Sequence, residues 1–183
     1  MYLIGGANMD EKLLLLASDG KTTDISKENM PIQNYKDYPI PILYLNGSFA
    51  EMTKDNAVTV DYIFKERSGT CTLKWQGASS VGLPKKNFTI KFDNAFEVVS
   101  GWGTQQKYVL KANFVDSSHA RNIVCAKLWG QIVRSRTPAN AMLNALPNGG
   151  AIDGFPILLA LNGKFIGLYT WNIPKDDWMF GMY

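Results

Sequence analysis

Residues 77 to 91 hold the densest set of groups able to do chemistry: Gly77, Ser79, Ser80 and Gly82, then Lys85 and Lys86 after a proline, then Lys91. Backbone N–H groups in such a loop can surround phosphate oxygens, and a lysine on the following strand can reach them as a point charge. The same composition also suits a plain loop with solvated lysines. No GxxxxGK[ST] or GxGxxG motif occurs to decide between the two.

A second group, Asp116, Arg121 and Asn122, falls where a helix should begin, and there Asp116 has a simpler use as a cap. Its order and spacing differ from those of a kinase catalytic loop. His119 is the only histidine and no nucleophile elbow accompanies it, so it reads as an exposed first-turn residue. Asp153, Asp176 and Asp177 are the carboxylates near turns, but adjacent side chains such as Asp176 and Asp177 point apart, and no metal site is assigned. Cys71 and Cys125 lie far apart, which gives neither zinc spacing nor a disulfide framework and suggests two buried thiols.

The elements that must position these groups are mostly strands. Leu13 to Ala17 and Thr22 to Ile25 flank a tight turn, and the polar, aperiodic stretch from Ser26 to Tyr38 reads as a linker. Strands are predicted over Ile42 to Leu45, along "AVTVDYIFKE", along "CTLKWQG" after a Gly69-Thr70 turn, after Lys86, and along "KYVLKANF". Phe88, Ile90 and Phe92 share one face of the strand after Lys86 because side chains alternate. Asn46-Gly47 and Asn162-Gly163 are hairpin signals, the latter joining two apolar strands. An antiparallel, meander-like sheet follows.

Val124, Leu128 and Ile132 recur at four-residue spacing beside Ile123, Trp129 and Val133, which predicts one long helix, with Arg134 and Arg136 suited to its C-terminal end. "TPANAMLNALPNGGAIDG" reads as a loop.

With 183 residues, 46% of them apolar, the chain can bury one ordinary core. A net charge of +3, evenly spread, gives no argument for a nucleic-acid partner, and no apolar run reaches the length that spans a bilayer. The run Trp178, Met179, Phe180, Met182 and Tyr183 is unusually apolar for a chain end and implies protein partners covering it as part of a larger assembly.

Three ordered segments carry a family resemblance: "LKWQGASSVGLPKKNFTIKF", "KYVLKANFVDSSHARNIVCAKLW" and "LLALNGKFIGLYTWNIPKDDW". Together they resemble the CotH kinase family, the spore coat protein H group of atypical protein kinases, over a stretch running from about Tyr38 to the C-terminus. The resemblance implies an α+β fold: an antiparallel, β-rich, protein-kinase-like N-terminal lobe with one long helix. It divides the chain into an arm with a short hairpin and linker, residues 1–37, and a CotH-kinase-like domain, residues 38–183.

Carried over residue by residue, the resemblance puts Gly77, Ser79, Ser80, Lys85, Lys86 and Lys91 on the nucleotide side, with Asp116, Arg121 and Asn122 as an ordering or pairing element. The family's acidic segments follow the Gly-x-Tyr hairpin, and this chain stops at Tyr183 before them. Phosphoryl transfer needs Mg2+ held on such carboxylates, so a chain without them is expected to be catalytically silent. Two functions follow. One is a structural assembly module, a phage virion component of tail or baseplate, with no cofactor. The other is the ATP-binding part of a Ser/Thr protein kinase, using ATP and Mg2+ and completed by residues outside this chain, in a spore coat or cytoplasm.

Overall fold

In a computed structural model, residues 13–16, 22–25, 40–136 and 141–182 are described below. The expected linker from Ser26 to Tyr38 and the final Tyr183 lie outside them. Strands β1 (Leu13–Leu16) and β2 (Thr22–Ile25) pair antiparallel, Leu13 opposite Ile25.

The main body is built from β3 (Ile42–Asn46), β4 (Val58–Phe64), β5 (Arg67–Gln76), β6 (Asn87–Phe96) and β7 (Gln105–Lys111). Two helices follow, α1 (Arg121–Ser135) and α2 (Ala141–Ala145), and then β8 (Gly154–Leu161) and β9 (Lys164–Asn172). The strands close into a barrel in the order β3-β4-β5-β6-β7-β9-β8. All neighbours run antiparallel except β3 and β8, which close the ring in parallel with Ile42 opposite Leu158.

This corrects the expected fold class. Among the described residues the chain is mostly β, a closed seven-stranded barrel with one helix of any length, and not an α+β kinase-like lobe. The physical reason is the pairing of β3 with β8, which leaves the sheet without an open edge. A meander read strand by strand gives no sign of that distant contact.

A barrel of seven strands is narrow enough for side chains to fill it. Val60, Tyr62 and Phe64 alternate inward from β4, Phe88, Ile90 and Phe92 from β6, and Tyr169 and Trp171 from β9, all nearly or wholly buried. Phe92 stacks on Trp171 with ring centroids 5.5 Å apart, while Tyr62 meets Phe92 edge-on at 4.6 Å. Pairs of this geometry contribute about 0.5–1.5 kcal/mol each beyond their area. Trp178 and Met179 join the same core from a 3-10 turn at Asp177–Phe180, so the aromatic chain end is partly spent inside its own barrel.

Several local expectations change in the structure. The turn before β5 falls at Lys65, with φ 54°, and the strand begins at Arg67 rather than after Gly69-Thr70. Asn162 and Gly163, with φ of 49° and 73°, make the expected tight turn between β8 and β9. Asn46-Gly47 makes no hairpin. Gly47 instead donates its N–H to Asn162 Oδ1 at 2.8 Å and accepts from Asn162 Nδ2 at 3.0 Å. A Cβ at Gly47 would stand 2.9 Å from Val60 Cγ1, so glycine is needed there for close approach. Part of the expected loop after α1 is helical, as α2. Cys71 is buried, but Cys125 is exposed on α1.

The long helix forms where expected, and its docking is the surprise. Ile123 and Gly130 are buried against the body, while Val124, Leu128, Trp129 and Ile132 face solvent. Asn148, at φ 43°, anchors the helix by donating from Nδ2 to Ala126 O at 3.1 Å and to Ile152 O at 2.9 Å. It occupies the space above Gly130, where a Cβ would lie 2.7 Å from the Asn148 carbonyl oxygen.

Candidate functional site

Most of the sequence-predicted site residues gather at one end of the barrel, where the β5–β6 loop meets the β7–α1 loop and β9. Asn87, at the first position of β6, ties two of these together: its Oδ1 accepts from Ala112 N at 2.7 Å and its Nδ2 donates to Ser80 Oγ at 3.2 Å. Gly77, at φ 126°, leaves the space that the Ser80 hydroxyl fills. Ser79 opens the 3-10 turn Ser79–Gly82 and is exposed.

Lys85 runs from this loop across to the other two. Its ammonium donates to Ala112 O at 3.1 Å and to Leu168 O at 2.5 Å, and lies 4.4 Å from the centre of the Tyr169 ring. Gly167, at φ 136°, makes room, since a Cβ there would be 3.3 Å from Lys85 Cε. Burial pulls the Lys85 ammonium down to about 8. Two carbonyl oxygens and an aromatic face nonetheless give the charge an internal set of partners.

Lys86 does not join it. Its Nζ donates to Val81 O at 2.6 Å and sits 5.3 Å from the Trp75 ring centre. Because Lys86 precedes β6, strand alternation does not govern its direction. Lys91 stands exposed on the outside of the barrel, in register with Thr72 and Lys107, away from the loop cluster.

At the helix start, Asp116 acts as a cap from a distance. Its Oδ2 accepts from Arg121 N at 3.1 Å, and its Oδ1 accepts from Ser118 N at 3.1 Å and Ser118 Oγ at 2.8 Å. Arg121 Nη1 adds an ion pair at 3.3 Å. Burial pushes the carboxyl upward, but the bonds from Ser118 and Arg121 and the guanidinium charge outweigh it and hold Asp116 below its ordinary value. Asn122 Nδ2 donates to Asn113 Oδ1 at 3.3 Å, and Asn113, in the left-handed region, donates to Thr170 Oγ1 at 3.1 Å.

His119 is therefore neither exposed nor in the first turn. It precedes the helix at φ 53°, half-buried, with a buried Nδ1 that has no partner. Burial, then the charge of Lys85, lowers its pKa. Sequence reasoning missed Asn87, Asn113 and Tyr169 as members of this cluster. Only the Gly167-x-Tyr169 pair carried a signal, a bare residue beside an aromatic one.

Two of the three candidate metal carboxylates, Asp153 and Asp176, are engaged elsewhere. Asp153 accepts from Lys127 Nζ at 2.7 Å and Trp102 Nε1 at 2.9 Å, and Asp176 pairs with Lys107 at 2.5 Å and caps the turn beginning at Asp177. Among the described residues no group of three His, Cys, Asp or Glu side chains could hold a metal ion. The cluster can thus bind three chain segments to one another, and an incoming phosphate would have to displace internal partners. No protein-family model matches this chain, and no curated protein matches it.

Proposed function

We propose that this chain is an assembly module, a barrel without catalysis of its own, held by a protein partner in a larger particle such as a phage tail or baseplate. The observation that carries this reading is the contiguous apolar surface where Trp129 of α1 meets Phe180 and Met182, all about half exposed or more. Exposed patches rimmed by polar residues mark interaction sites. A second support is that Lys85, Lys86 and Asp116, the groups the CotH resemblance would give to a nucleotide, are bonded within the chain.

The alternative is the ATP-binding part of a kinase completed by residues outside this chain. It draws on one observation, the convergence of Lys85, His119 and Asp116 on the start of α1. Radiolabel from ATP, with Mg2+ or Mn2+ present, separates the two. The assembly reading expects no transfer to the chain or to an added acceptor protein. Transfer that disappears in a Lys85→Met variant with an unchanged circular dichroism spectrum would overturn it.

A further inference from the structure

We infer that His119 is an acid-sensitive latch, which holds the start of α1 against the barrel while its imidazole is neutral and releases it when the ring takes up a proton. The device is independent of whether the barrel serves in an assembly.

The position is built with backbone strain. The loop between β7 and α1 has two left-handed residues, Asn113 at φ 45° near its start and His119 at φ 53° near its end. Residues with a Cβ persist in that region only where surrounding contacts enforce it. The His119 N–H donates to Asp116 O at 2.9 Å and the His119 carbonyl accepts from Asn113 Nδ2 at 3.3 Å. The ring is half-buried, and its Nδ1 is closed to solvent with no partner.

Such a site accepts a neutral ring and opposes a charged one. An imidazolium carries an N–H on both nitrogens, and nothing receives the one on Nδ1. The Lys85 ammonium faces the ring from the β5–β6 loop, tied in place by Ala112 O and Leu168 O, so charging His119 would set a second cation beside the first. Two groups favour the charged ring, and both are already in use. The Ala112 carbonyl serves Lys85, and Asp116, on the loop of His119 itself, is taken up by Ser118 and by Arg121 of α1. Burial first, then Lys85, outweigh them and hold the imidazole below its ordinary 6.5. The strands packed here add neutral groups, Asn87 of β6 at Ala112 N and Tyr169 of β9 beside Lys85, while Lys86 turns back to Val81 O.

The bonds around the ring define what a proton would release. The same loop carries Asp116, which caps α1 through Arg121 N, and Asn113, which reaches Thr170 on β9. The other seat of α1, Gly130 against Asn148, lies in the C-terminal half of the helix. Acid therefore frees the first turns of α1 and leaves the barrel closed. A base whose folded pKa is lowered binds fewer protons in the closed form, so the latch is at full strength above about pH 6.5 and weakens as pH falls below it. Asp116 and Asp176, held below 3.8, act in the same direction only at lower pH.

The test uses the whole chain. His119 is its single histidine, so one imidazole signal in proton NMR reads the latch directly. That signal is expected to titrate below 6.5. Amide exchange over the first turns of α1, corrected for the intrinsic rate, should be severalfold faster at about pH 5 than at about pH 7.5, while β6 and β9 keep their protection. His119→Asn tolerates the left-handed backbone and has no titrating ring, so its corrected exchange should be the same at both pH values. Lys85→Met removes the opposing cation and should move the imidazole upward.

An imidazole titrating at or above 6.5 would overturn the inference. So would an acid response that His119→Asn retains, or protection lost equally in α1 and the barrel strands at about pH 5. The two measurements on the parent chain decide the matter even where a variant does not fold.

Discussion

Trp171 and Trp129 are the same residue type in opposite situations. Trp171 is wholly buried at the centre of the barrel, stacked on Phe92 and in contact with Phe64 at a centroid distance of 4.8 Å, whereas Trp129 stands out from α1 into solvent. The barrel satisfies itself: its strands leave no edge and its interior is filled by its own aromatic rings. The helix does not, because its narrow buried side rests on the loop around Asn148 and its broad apolar side rests on nothing described. Stability and interaction are thus carried by different parts of one chain. The folding free energy comes mainly from the first, and the exposed apolar area of the second is available to association.

The sharpest way to break this contrast is truncation at both tryptophans. Trp171→Ala should destabilise the protein by about 3–5 kcal/mol, the range for a buried aromatic residue, read from urea unfolding midpoints. Trp129→Ala should fall within about 0.5 kcal/mol of the parent. Comparable losses at the two sites would mean that the outer face of α1 is covered in the isolated chain.

Gly130→Ala tests how α1 is seated. In a free helix the change stabilises by up to about 1 kcal/mol. Here the new Cβ would press on Asn148, and forcing atoms into a packed site costs about 1–3 kcal/mol, so the expected sign is destabilising in thermal melts.

Lys85 gives a pH signature of the loop cluster. Its folded value of about 8 lies below the ordinary 10.5, so between those values the unfolded chain binds more protons and stability rises with pH. The slope is at most about 1.4 kcal/mol per pH unit. Cys71, which burial pushes to about 12 from 9.0, and the raised Tyr108 work in the opposite direction above about pH 9. Urea melts between about pH 7.5 and 9 should therefore show a rise in the parent that Lys85→Met lacks. An identical profile in the variant would place the lysine in water.

The smallest expected effect is the most useful control. Leu128→Glu should leave the unfolding midpoint within about 0.5 kcal/mol of the parent in urea melts, because the side chain is exposed. A large loss of stability would show that the stripe contributes to the fold.

Much of the secondary structure was legible because it depends on neighbours in sequence. Phe88, Ile90 and Phe92 alternate, and they do fill the barrel. Asn162-Gly163 asks for two positive φ angles and makes the turn, and Asp116 does cap α1. Asn46-Gly47 misled because a turn dipeptide signals willingness to bend, and contact with Asn162 redirected it. Of the candidate site, Gly77, Ser80, Lys85, Asp116, Arg121 and Asn122 come to one end of the barrel, while Lys86 turns back on its own loop and Lys91 stands outside. Nothing in the local spacing of the lysines encodes that Lys85 ends on Ala112 and Leu168, which belong to two other elements.

By itself the sequence determined the period of each element: alternation of two for the strands, a four-residue recurrence for α1, and turn chemistry at one of the two Asn-Gly pairs read as hairpin signals, Asn46-Gly47 and Asn162-Gly163. Those are properties of the backbone and its nearest neighbours. The tertiary structure decided which faces are inside. Closure of β3 on β8 turned an expected open sheet into a barrel, and the seating of Gly130 against Asn148 turned the stripe of Val124, Leu128 and Ile132 outward. A hydrophobic period shows that a face exists, but only contacts between residues distant in sequence settle what that face meets.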